Sequence, residues 1–380
     1  MIGRRHFVRN VFALAAAAPL ARIAPVRGDV ATVYDSALKA TFVQGMTLRA
    51  VAYSGRPALS GGKYIWHAAP DGGACFAAKD GGWIYVSNSE IDRKGGGAGA
   101  LRFSADGKVI DSYSVLHGTS RNCAGGKTPW GTWLSCEEDD DTGLVYECDP
   151  TGAKAAIVRP GLGAFNHEAA AVDPATGTVY LTEDRPEGCL YRFLPAARGD
   201  LAKGRLEVAV PDGNRLNWAP VPDVTGASMP LRKQVPGAAK FKGGEGIVYG
   251  QGKVFFTTKG DNRVYALTLA TNVLEIVYDV RTSATPILSG VDNIEISPSG
   301  ELLVAEDGGD MQIVALVNQG ASGYRAVALV TLHDQTRSEV TGPAFSPDGQ
   351  RLYFSSQRGP EGRSESGITY ELTLGTAKLS

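Results

Sequence analysis

The stretch Asn122-Cys123-Ala124-Gly125-Gly126-Lys127-Thr128-Pro129-Trp130-Gly131-Thr132-Trp133-Leu134-Ser135-Cys136-Glu137-Glu138 decides the reading of this chain. It holds a thiol, a glycine pair where backbone can pass close to a ligand, a proline-glycine turn, two tryptophans and two carboxylates. Gly131 to Cys136 alternates and is rich in β-branched and aromatic residues, so a strand is expected there, with Glu137 and Glu138 at its end. A thiol and carboxylates around one hairpin point to a metal site. A tight hairpin with a buried free cysteine accounts for the same residues.

Working outward, the same layout recurs. A Gly-containing turn leads into a short apolar strand that ends in acidic or polar residues. Lys79-Asp80-Gly81-Gly82 leads into Trp83–Val86 and ends at Asn88-Ser89-Glu90, and Asp173–Gly177 leads into Val179–Leu181 and ends at Glu183-Asp184. Gly250-Gln251-Gly252 precedes Val254–Phe256, ending at Asp261. Ser297–Gly300 precedes Leu302–Val304, ending at Glu306-Asp307. Ser346–Gly349 precedes Leu352–Phe354, ending at Gln357. The six glycines Gly82, Gly131, Gly177, Gly252, Gly300 and Gly349 are spaced 49, 46, 75, 48 and 49 residues apart. A repeat of roughly 40–50 residues carrying short strands is the mark of a β-propeller. Leu190–Phe193 with Leu206–Val210, and Val264–Leu267 with Leu274–Tyr278, supply outer strands. The last unit has no fourth strand of its own after Ile368–Leu372, and Thr47–Tyr53 is expected to close the ring and remove its exposed edges. The fold predicted is all-β, a six-bladed β-propeller with a central-channel metal site. It forms one domain over residues 29–380. A Pro-rich insertion near 212–240 reads as a lid-like loop or a surface excursion.

Residues 1–28 read as an export signal. Arg4-Arg5-His6-Phe7-Val8-Arg9 and the apolar run Val11–Leu20 resemble a twin-arginine leader, which implies the export machinery as a partner and a periplasmic or secreted location. The 380 residues carry a net charge of only -2, so no nucleic-acid partner is expected. No later stretch is apolar enough to span a bilayer. Five cysteines leave at least one unpaired; Cys136 and Cys148, on neighbouring predicted strands, could pair.

In a propeller the innermost strand of each blade lines the channel, and the starts of those strands meet at one mouth. The starts read here are Ala74-Cys75, Asn122-Cys123, Asn166-His167-Glu168, Gly244-Glu245, Asp292-Asn293 and Thr341-Gly342-Pro343. Carboxylates converging there would repel one another unless cations compensate them. Hard oxygen donors suit Ca²⁺ or Mg²⁺, and a thiolate among them suits a softer transition metal. Neighbouring strand residues face opposite ways, so Glu168 is expected to face inward and His167 not. There is no Gly-x-Ser-x-Gly elbow, P-loop or dinucleotide fingerprint.

The Cys123 segment closely resembles the PhoX family of secreted bacterial alkaline phosphatases. Phe165-Asn166-His167-Glu168, Tyr180-Leu181-Thr182-Glu183-Asp184, Gly244-Glu245-Gly246 and Asp292-Asn293-Ile294 also look like that family. The resemblance implies a six-bladed propeller with an iron–calcium cluster in the channel mouth, hydrolysing small phosphomonoesters. It implies that Cys123 binds or bridges iron and that Glu168, Glu245 and Asp292 ligate metal. Asn88-Ser89-Glu90 matches an Asn-His-Glu motif with serine in place of histidine, which makes Glu90 and Asn88 further ligand candidates. Lys242-Gly243-Gly244 stands where an arginine is common in the family. Arg121, Arg185, Arg263 and Arg358 are the candidates to contact phosphate in its stead. A monomer is expected. Two other readings remain: a calcium-dependent lactonase-like hydrolase, against which Cys123 argues, and a non-catalytic binding propeller.

Overall fold

Half-buried alternating segments joined by glycine turns form antiparallel ladders, and a computed structural model describes residues 30–375 of the chain in these terms. The proposed leader, residues 1–28, lies outside the described residues. Blade 1 runs outward through Pro70–Ala77, Trp83–Ser89, Gly96–Phe103 and Val109–Thr119. Blade 2 follows with Asn122–Lys127, Trp133–Glu137, Val145–Cys148 and Ile157–Val158. The inner strands of blades 3 to 6 are His167–Val172, Gly244–Gly250, Val291–Ile296 and Val340–Phe345.

Thr47–Tyr53 pairs with Ile368–Thr373 to complete blade 6, as expected from the missing fourth strand. Residues far apart in the chain thereby close the ring. The strands Thr32–Asp35 and Ala40–Val43 extend blade 5 at its outer edge, which the sequence did not reveal.

The insertion differs from a simple loop. Arg215–Pro220 is a fifth strand of blade 3 and touches blade 4 through Arg215 and Val273. It pairs with the edge of Gly204–Asp212, and its Leu216 and Trp218 pack into the apolar layer between blades 3 and 4. Leu231 and Ala238 then anchor the rest of the insertion in the apolar layer between blades 2 and 3.

Six apolar clusters lie between successive blades. The stacked rings of Tyr85 and Tyr353 join blades 1 and 6, and Ala124 with Ala169 brings blades 2 and 3 together. Cys136 and Cys148 are both free and enter different clusters, on opposite sides of blade 2. Register explains why they do not pair: Cys136 faces Val145, whereas Cys148 faces Trp133 three positions along. Gly126 lets blades 2 and 3 pack closely, since a Cβ there would sit 1.9 Å from the Ala170 carbonyl. A cavity of about 510 Å³ follows the inner strands away from the end at which they begin.

Candidate metal centre

Every inner strand breaks register just after its first or second residue. The irregularities fall between Pro70 and Gly73, Asn122 and Gly125, His167 and Ala170, Gly244 and Ile247, Val291 and Ile294, and Thr341 and Ala344. A bulge re-aims the side chain that it carries. The six equivalent residues are Asp71, Cys123, Glu168, Glu245, Asp292 and Thr341, and all are buried. At Gly342 in the sixth bulge φ is +62°, and a Cβ there would sit 2.6 Å from the Asp71 carbonyl, so only glycine lets blades 6 and 1 approach this closely.

A second tier comes from the residue after each second strand. Strand alternation splits the carboxylate pairs noted in the sequence. Glu137, Glu183 and Glu306 turn into the protein and accept backbone N–H groups of their own loops: Ser120 and Leu144, Cys189, and Ser289 and Gln312. Their neighbours Glu138, Asp184 and Asp307 turn the other way. Glu90 and Gln357 hold the equivalent places in blades 1 and 6, and Lys259 holds it in blade 4.

The two tiers meet as linked acidic groups. Asp71, Glu90 and Cys123 bring one ligand atom each within 4.8 Å of one another, as do Cys123, Glu138 and Glu168. Glu168, Glu245 and Asp292 form the next group, and Asp292, Asp307 and Glu339 the last. Cys123 donates its S–H to Glu168 Oε1 at 3.3 Å. Gln357 Nε2 donates to Asp71 Oδ2 at 2.5 Å and to Glu90 Oε2 at 2.8 Å. Lys259 Nζ approaches Glu245 Oε1 at 3.2 Å without hydrogen-bond geometry, so that buried oxygen has no hydrogen-bond donor.

Burial, followed by mutual repulsion, makes charge costly here. Burial first, then Glu245 and Asp292, holds the Glu168 carboxyl well above the usual range. Burial first, then Asp71 and Glu168, does the same to the Cys123 thiol. Burial raises Asp292 to about 7 against the pull of Lys259. Burial and Glu90 raise Glu138 to about 7. A buried thiol beside clustered carboxylates, one with an orphaned oxygen, is a donor set that fits bound cations.

The predicted residues divide accordingly. Cys123, Glu168, Glu245, Asp292 and Glu90 meet in the cluster. Asn88 does not: its amide donates to the Cys123 and Ala124 carbonyls and accepts from Trp133 Nε1 and Ser135 Oγ. It straps blade 1 to blade 2 and leaves no lone pair directed at the acidic groups. Ser89 donates to the Ala68 carbonyl. His167 turns away from Glu168, stacks on Phe165 with centroids 3.5 Å apart and hydrogen-bonds the Gly163 carbonyl through Nε2.

Two of the four arginines stand at the mouth. Arg121 contacts Glu138 at 3.0 Å and Glu90 at 3.9 Å, and Arg358 contacts Glu339 at 3.0 Å; each is about one-third exposed. Arg185 points outward to Asp140. Arg263 sits on a third strand, held by Asp261 and Asp279, and is displaced from the mouth by two strands.

Sequence reasoning missed Asp71, Glu339 and Lys259. The first inner strand begins at Pro70, so the expected start at Cys75 is wrong; Cys75 packs between blades 1 and 6. The signal was present in Asp71-Gly72, which repeats the acid-glycine pair of Glu245-Gly246. Asp261, read from the sequence as the acidic end of its unit, is two residues past the position that Lys259 takes.

The family model described as alkaline phosphatase PhoX matches residues 65–273 and 270–359. Among solved structures, PhoX of Pseudomonas fluorescens in complex with vanadate, a transition state analogue, superposes with a TM-score of 0.72 at 16% identity, covering 91% of this chain and 97% of that one. A gluconolactonase from Xanthomonas campestris gives a TM-score of 0.51 at 13% identity, covering 94% and 98%. No curated protein sequence matches. The family match spans all six inner strands and every acidic group of the mouth, and the chain belongs to the PhoX family of alkaline phosphatases.

Proposed function

We propose that this phosphomonoester hydrolase works through an iron–calcium centre held at the propeller mouth. The observation that carries the reading is the continuous run of acidic groups with one thiol inside it. Cys123, with Glu168 and Glu138, offers the soft and hard donors that suit iron. Asp71, Glu90, Glu245, Asp292, Asp307 and Glu339 offer the oxygen donors that suit calcium. When bound, such a centre supplies Lewis-acid polarisation of phosphate oxygens.

The protein's own part is placement. The six bulges fix the donor atoms on strands, and the straps from Asn88, Thr182 and Thr257 to carbonyls of the neighbouring blade hold the bulges in register. Arg121 and Arg358, partly exposed above the acids, are placed to hold the non-bridging oxygens of a phosphomonoester and orient it. The electrostatics favour an anionic substrate only once cations have neutralised the carboxylates. That gives the acidic lining a reason to exist in an enzyme that acts on phosphate.

The calcium-dependent lactonase reading leaves Cys123 without a role, since a calcium site gains nothing from a thiol. We further infer export by the twin-arginine route, from Arg4-Arg5, and a monomer in solution. No helix of the described residues is long and apolar enough to cross a membrane.

Cys123→Ala tests the assignment. Iron content and hydrolysis of an aryl phosphate are expected to fall together, with turnover down at least a hundredfold. A variant that keeps both its iron and its turnover would overturn the proposal.

A further inference from the structure

The six residues that follow the second strands are Glu90, Glu138, Asp184, Lys259, Asp307 and Gln357, at matching places in the six ladders. Four are acids and one is an amide. Blade 4 alone supplies an ammonium. Its backbone is fixed on both sides of the side chain: Lys259 N–H donates to the Gly243 carbonyl and Gly260 N–H to the Lys242 carbonyl, both at 2.9 Å. Nζ lies 2.9 Å from Asp307 Oδ2 and 3.2 Å from Glu245 Oε1, between carboxylates of adjacent blades. Glu245 is buried, and the oxygen facing Nζ has no hydrogen-bond donor. A cation shared by Glu245 and Asp307 would have to occupy this place.

We propose that the Lys259 ammonium is a built-in cation of the acidic centre, filling the position between Glu245 and Asp307 that a divalent ion would otherwise take. It rests on the reading of the mouth as a metal centre and adds to it a count: this chain binds one hard cation fewer than its carboxylates could hold. An ammonium suits the place because it donates to Asp307 while its charge faces Glu245. It brings one charge where calcium brings two. Lys259 thus sets the metal stoichiometry at the lobe where blades 4 and 5 meet, while Cys123 and its neighbours are served separately.

The test compares the full chain with Lys259→Met, Lys259→Glu and Lys259→Arg, each purified in calcium-containing buffer. Bound calcium and iron are counted by elemental analysis, and thermal unfolding is followed against calcium concentration. Lys259→Met and Lys259→Glu are expected to carry one more calcium per chain than the parent and to melt with a steeper calcium dependence. Lys259→Arg is expected to keep the parental count. Equal calcium in all four proteins, with unchanged calcium dependence of melting in Lys259→Glu, overturns the built-in cation. A parent protein that holds neither calcium nor iron overturns instead the metal-centre reading on which it rests.

Discussion

At the scale of single residues, what decides a role is which way a side chain turns on a strand. Arg121 and Arg358 reach the acidic mouth, whereas Arg263 is locked to Asp279 and Asp261 on an outer strand. Removing a charged hydrogen bond to substrate costs about 1.5–3 kcal/mol, so Arg121→Ala is expected to lower kcat/KM for an aryl phosphate by about tenfold or more. Arg263→Ala should leave kcat/KM within about twofold and affect thermal stability instead. Steady-state kinetics of the two variants, side by side, check this; equal losses would contradict the placement of the arginines. Sequence alone does not rank these residues, because charge and proximity to a motif do not reveal strand direction. Cys123, Glu168, Glu245 and Asp292 were legible, since each sits one residue into an inner strand. Asn88 was misread as a ligand because its neighbour Glu90 reaches the mouth, while the amide is consumed by the strap to Cys123, Ala124, Trp133 and Ser135.

At the scale of elements, the repeat of turn, strand and acidic end exposed the blades, because turn glycines and strand alternation are local signals. The bulges were not legible, because a register break exists only relative to a partner strand. That is why the first inner strand was placed at Cys75 rather than Pro70, and why Asp71 was missed. The strand Arg215–Pro220 was hidden because its alternation is short: Leu216 and Trp218 are followed at once by Ala219-Pro220 inside a Pro-rich insertion. The closing strand Thr47–Tyr53 was legible from the count of strands, and it pairs with Ile368–Thr373 along its length. Its loss would leave Ile368–Thr373 as an open edge and expose Tyr370 and Leu372, both buried in the layer between blades 5 and 6. A chain lacking residues up to Tyr53 is therefore expected to lose its cooperative thermal transition and to aggregate, as read by circular dichroism and size-exclusion chromatography. A soluble, cooperatively melting product would show that blade 6 does not need this strand.

At the scale of the whole molecule, the fold spends stability on its mouth. Six blades bring buried carboxyl groups together, and without cations those groups resist ionisation. Asp292 and Glu138 are raised to about 7 in the folded protein, from ordinary values of 3.8 and 4.5. A carboxyl whose folded value is raised supports the fold below its unfolded value and withdraws that support as pH climbs through the folded value. Metal-free protein is thus expected to lose thermal stability as pH rises from about 5 to about 8, and metal-loaded protein to lose much less. Melting curves at both ends of this range, with and without chelator, measure the difference; a metal-free protein that gains stability with rising pH would contradict the account. The central claim is that one centre of iron and calcium makes this propeller a phosphatase, and elemental analysis of the purified protein beside its hydrolysis of an aryl phosphate, before and after chelation, tests it most directly. The account predicts bound iron and calcium, with turnover that is lost on chelation and restored when both metals are returned. Protein that carries neither metal yet hydrolyses the phosphate at an undiminished rate would contradict it.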